Sequence, residues 1–88
     1  MKRIYVYGDK DFLIQLKRAL VIEGGFKDGE NIFYSERANR VTMWDLDDLY
    51  ATRLNMKING IKTCTKFLNN ELYKMAFTTE MEDMEEEE

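Results

Sequence analysis

The 88-residue sequence has no histidine and no proline, and a single cysteine and tryptophan. Without histidine it lacks the commonest general base near neutral pH and a frequent metal ligand. One thiol, Cys64, forms no internal disulfide, which fits a reducing compartment. No proline marks a rigid linker, and no internal repeat is visible. Long apolar runs are missing too: Asp9, Lys10, Asp11, Lys17 and Arg18 interrupt the N-terminal segment. A secretory signal needs about 7–15 apolar residues and a membrane-spanning helix about 20. The sequence therefore reads as that of a soluble, cytoplasmic protein with no membrane partner.

Catalytic signatures are equally sparse. Gly8 follows an apolar run, but Tyr7-Gly8-Asp9-Lys10-Asp11 lacks the lysine and hydroxyl residue that close a phosphate loop. Gly24, Gly25 and Gly29 open no helix, so they make no dinucleotide fingerprint; turns account for them. Counting from Asp45 as a calcium loop puts Tyr50 and Met56 where glycine and glutamate are required. No base is visible to activate Cys64. The expectation is a non-enzymatic protein with no cofactor and no metal site.

Charge is what the chain does have. Residues 1–79 hold all 13 basic side chains and 10 acids, whereas residues 80–88 hold the other seven acids, giving a net charge of -4. A mildly basic body with a strongly negative end favours basic partners and disfavours naked nucleic acid, and no direct duplex DNA binding is expected. The expected organisation is one folded domain over 1–79 and an acidic tail over 80–88.

Along the body, Ile4-Tyr5-Val6-Tyr7 reads as a strand stopped by Gly8-Asp9. Phe12, Leu13, Leu16, Leu20 and Val21 lie on one helical face, capped at the start by Asp9 or Asp11 and ended by Gly24-Gly25. Residues 31–35 and 41–44 read as a hairpin joined by a polar connection. Asp45-Leu46-Asp47-Asp48 is either the start of a short helix or a loop. Tyr50, Thr52, Leu54, Met56 and Ile58 alternate with more polar residues, and Asn59-Gly60 suits a tight hairpin turn. Strands over 50–58 and 61–66 are therefore predicted. Asn69 or Asn70 caps a last helix with Leu68, Leu72, Met75 and Ala76 on its inner face, fading near Thr78-Thr79. The glutamate run repels itself and reads as disordered. The predicted class is α+β: strand, helix, four strands, helix, with a mainly antiparallel sheet, helices on one face and a disordered acidic tail.

Three features offer binding. The tail acids Glu80, Glu82, Asp83, Glu85, Glu86, Glu87 and Glu88 are a solubilising end or a polyanion that fits a basic groove. Asp45, Asp47 and Asp48, beside Trp44, are a capped helix start or a second anionic patch with an aromatic for apolar contact. Basic residues including Lys2, Arg3, Lys10, Lys17, Arg18, Arg37, Arg40, Arg53 and Lys57 interleave with aromatics on strands. That set is an ordinary solvated face or a platform for single-stranded nucleic acid, which the tail would limit by folding back. Inhibition of another host machine, such as RNA polymerase, is also open, as is a homodimer through apolar strand edges.

With patches at Asp45-Leu46-Asp47-Asp48 and Glu80 to Glu88, the chain resembles the small acidic DNA-mimic proteins of lytic bacteriophages, most of all those that inhibit the nucleoid protein HU. The resemblance implies a non-enzymatic protein that covers the DNA-binding surface of HU in the host nucleoid. Trp44, Asp45, Asp47, Asp48 and the tail acids would make the contacts.

Overall fold

The computed structural model describes residues 1–64 and 77–84. Its elements are β1 (Lys2–Tyr7), α1 (Lys10–Gly24), β2 (Ile32–Ser35), β3 (Arg40–Leu46), α2 (Asp48–Cys64) and β4 (Thr78–Asp83). The strands form one sheet in the order β2-β3-β1-β4, and all neighbouring pairs are antiparallel. In β1-α1-β2 the strand β3 lies between the two ends of the unit, and in β3-α2-β4 the strand β1 does so. This is the split βαβ, or ferredoxin-like, arrangement. The chain is an α+β protein, as its alternating patterns imply.

Strand periodicity of two divides the sheet into two unlike faces. Ile4 and Val6 of β1, Ile32 of β2, and Val41 and Met43 of β3 are fully buried. They meet Leu13 and Leu16 of α1 and Ala51, Leu54 and Ile58 of α2, so both helices cover the same face. Helix α1 begins after Asp9, whose carbonyl accepts from the Leu13 N–H at 2.9 Å. It ends where Gly25 takes φ 74°, a left-handed conformation that glycine adopts without a Cβ clash.

Strand β3 carries an irregularity. Ile4 pairs with Met43 but Lys2 pairs with Leu46, so β3 holds one residue more than β1 over this stretch. The extra residue is accommodated around Asp45, which lies at φ 61°. A bulge of this kind inverts the alternation beyond it. Met43 and Leu46, three apart, therefore both face the core.

Two segments depart from the sequence expectation. Residues predicted as a hairpin over 50–58 and 61–66 are helical from Asp48 to Cys64. The reason is a second pattern in the same residues: Ala51, Leu54 and Ile58 form a helical stripe and are buried, while Tyr50 and Met56 are exposed. Asp47 caps this helix, its Oδ2 accepting from the N–H groups of Leu49 and Tyr50 at 3.2 and 3.4 Å. Asn59-Gly60 sits inside α2, where the Asn59 side chain donates to the Asn55 carbonyl one turn earlier at 2.9 Å. The second departure is β4. Glu80, Met81, Glu82 and Asp83, expected in a disordered tail, pair residue by residue with β1. Thr78-Thr79, placed at the end of the last predicted helix, start this strand; residues 65–76, which hold most of that helix, and Glu85 to Glu88 lie outside the described residues.

A helical Gly60 yields a direct test. A methyl group added there would meet no atom within 4 Å. Gly60→Ala is expected to stabilise the domain by about 0.5–1 kcal/mol, the propensity gap between the two residues. For a domain of this size that raises the melting temperature by roughly 2–8 °C. A hairpin turn at Asn59-Gly60 would instead lose stability, so thermal denaturation of this one variant separates the two structures.

Candidate functional site

The face of the sheet opposite the helices carries the outward residues of all four strands. On β1 these are Arg3, Tyr5 and Tyr7, and on β3 Arg40, Thr42 and Trp44. Strand β2 adds Phe33, which is 52% exposed. Strand β4 adds Thr78, Glu80 and Glu82, opposite Tyr7, Tyr5 and Arg3 respectively. Four aromatic rings and two arginines thus share one surface, because both central strands alternate apolar inward residues with outward ones that, Thr42 apart, are aromatic or basic.

The polar contacts on this face are specific. The ring centroids of Tyr5 and Tyr7 lie 6.3 Å apart. The Arg40 guanidinium sits 5.0 Å from the centre of the Tyr5 ring, within cation–π range. Arg3 Nη1 donates to Glu82 Oε1 at 3.0 Å and to the Tyr5 hydroxyl at 3.0 Å. That hydroxyl in turn donates to the same Glu82 oxygen at 2.8 Å. The arginine pKa is raised, chiefly by the hydrogen bond to Tyr5. Next along the strand pair, Lys2 hydrogen-bonds Asp83. This bond raises the lysine pKa and, from the other side, holds the Asp83 carboxyl below the ordinary carboxylate range.

The acids singled out in the sequence are divided among several roles. Glu80 and Glu82 lie on the open sheet face, and Glu82 and Asp83 are paired with Arg3 and Lys2. Asp48 faces the α-amino group of Met1 at 3.7 Å. Asp47 caps α2, and Asp45 occupies the bulge, where its N–H contacts the Met84 sulfur at 3.2 Å. The fold therefore brings Asp45 to Asp48 next to the end of β4, so the two acidic segments meet at one end of the sheet. Trp44 turns away from this end's helix side and onto the open face. Of the basic set, Lys10 and Lys17 are paired with Glu36 and Asp28 at 3.1 and 2.6 Å. Phe33, Tyr5 and Tyr7 were not named as site residues from sequence. The signal was present in the register of β1 and β3, where Arg3-Tyr5-Tyr7 and Arg40-Thr42-Trp44 occupy alternate places.

An open cleft of about 290 Å³ lies between the end of α1 and the junction of β3 with α2. Phe26, Asn31, Asp45, Asp47 and Tyr50 are among its lining residues. Among the described residues no three metal-ligating side chains gather, and no helix is long and apolar enough to cross a membrane. In comparisons with known proteins, no family model, no curated protein and no solved structure matches the chain, so its function is argued from the surface just described.

Proposed function

We propose that the protein binds single-stranded nucleic acid on the open face of its sheet. The carrying observation is the shared placement of Tyr5, Tyr7, Phe33 and Trp44 with Arg3 and Arg40 on the face that α1 and α2 leave free. Flat rings on a four-stranded sheet stack unpaired bases, and arginines beside them take phosphates. A duplex keeps its bases stacked on each other, so the same surface discriminates against it. The net charge of -4 supplies no long-range attraction for a polyanion. Affinity then comes mainly from stacking, and few counterions are released. Arg40 is the phosphate contact without a carboxylate partner to displace, since Arg3 is paired with Glu82, so log K is expected to fall with log salt at a slope of about -0.7.

Trp44 is the sole tryptophan and lies on this face, so its fluorescence reports occupancy directly. Titration with short oligothymidine and oligouridine strands is expected to quench it, whereas duplex of equal length leaves it unchanged. Absence of quenching by every single strand at low salt would exclude the reading.

The meeting of the two acidic segments favours a second reading, in which that end of the molecule docks on a basic DNA-binding protein of a host nucleoid, such as HU, in place of DNA. Asp45 and Asp47 on the cleft beside Tyr50 would receive basic side chains of the partner. Release of duplex from HU by the protein, without Trp44 quenching by oligonucleotide, is the outcome that selects it. A simple deletion of residues 80–88 does not test it, because it also removes most of β4.

A further inference from the structure

We infer that Arg3 and Tyr5 form a phosphate seat on the open face, and that the carboxylate of Glu82 is its resident occupant, exchanged for a phosphate when nucleic acid binds. This rests on the single-stranded nucleic-acid reading and adds to it which residues hold the backbone and what regulates them. One Glu82 oxygen accepts from both Arg3 Nη1 at 3.0 Å and the Tyr5 hydroxyl at 2.8 Å. A phosphate oxygen asks for the same thing: an anionic acceptor between a guanidinium and a hydroxyl donor. The seat is on β1, a central strand, directly beside the rings of Tyr5 and Tyr7. A backbone phosphate held there leaves its neighbouring bases over those rings.

The occupant is built to leave. Glu82 belongs to β4, the edge strand, and its side chain is 49% exposed, against 35% for Arg3. A rotation of the glutamate side chain vacates the seat while the β1–β4 backbone pairing stays intact. Glu80, two residues along on the same face, pairs with Tyr5 in register and has no described contact with Arg3. It supplies an internal control with the same charge and a different position.

The test is oligonucleotide titration of the full chain and of Glu82→Gln, Glu80→Gln and Glu82→Asp, read by Trp44 fluorescence at several salt concentrations. Glu82→Gln is expected to raise single-strand affinity about two- to fivefold, the factor associated with an exposed ion pair. It should also steepen the salt slope by about 0.7, since Arg3 now enters the complex without a carboxylate to release. Glu82→Asp keeps the charge but withdraws it by one methylene, and a gain there locates the effect in the seat. Adding Arg3→Met to Glu82→Gln should cancel the gain. Equal gains from Glu80→Gln and Glu82→Gln, with unchanged slopes, would overturn the seat while leaving the binding face intact. No quenching by any single strand, in wild type and Glu82→Gln alike, would overturn both. Circular dichroism of each variant checks that the sheet is retained.

Discussion

Leu13→Ala is expected to lower the unfolding free energy by about 2–5 kcal/mol. Leu13 is wholly buried on α1 and lies among the inward residues of the sheet. Removing three carbons there forfeits their transfer free energy and leaves a cavity that a close-packed core closes only in part. A domain of this size has on the order of 5–15 kcal/mol to lose, so the variant would be substantially unfolded at modest urea. The check is urea denaturation: the midpoint falls while the slope stays the same. Ile22, on the same helix but 73% exposed, is the matched control. Ile22→Ala should stay within about 0.5 kcal/mol of wild type. A similar loss at both positions would mean that α1 does not present the face described.

The second large effect concerns the open face. Trp44→Ala is expected to weaken single-strand binding by roughly 5- to 150-fold, the equivalent of about 1–3 kcal/mol for one stacked base. Phe33→Ala should act in the same direction, since that ring is the most exposed on the surface. Because no charge is removed, neither variant should alter the salt slope. Arg40→Gln should reduce that slope by about 0.7 with a smaller loss at low salt. Labelled oligonucleotides with anisotropy detection serve for Trp44→Ala, which has lost its own reporter. If ring removal left affinity untouched while arginine removal abolished it, binding would be plain charge attraction and the stacking platform would be discarded.

What the sequence made legible follows the range of the interactions concerned. The strand β1, helix α1 and the β2–β3 hairpin are written in local signals: alternation, a helical stripe, a glycine stop and a polar turn. Helix α2 was misread because Tyr50 to Ile58 satisfies two periods at once. Period two matches more residues, but the helical set Ala51, Leu54 and Ile58 is the one that meets the sheet. Packing decided between them, and the Asp47 cap then agreed with it. Strand β4 is the opposite case. Its own residues repel one another, and pairing with β1, where Lys2 and Arg3 at the far end of the chain meet Asp83 and Glu82, turns that run into a partner strand. The acids were legible as residues but not as an arrangement. Counting gave an anionic tail, whereas in the described part Glu80 and Glu82 lie on the sheet face and Glu82 and Asp83 are ion-paired with Arg3 and Lys2. The aromatic face was half legible: the mixing of bases with aromatics was visible, and the register that put them side by side was not.

The pairing of β1 with β4 also bears on how the molecule is made. These strands join residues as much as 81 positions apart, so β1 keeps an open edge until β4 has been made. Until residues 78–83 have been made, the sheet can consist only of β1, β2 and β3, with the edge of β1 bare. Closure of long loops is slow, so this border is the last to be covered, and until then a chaperone or a stretch of RNA has access to it.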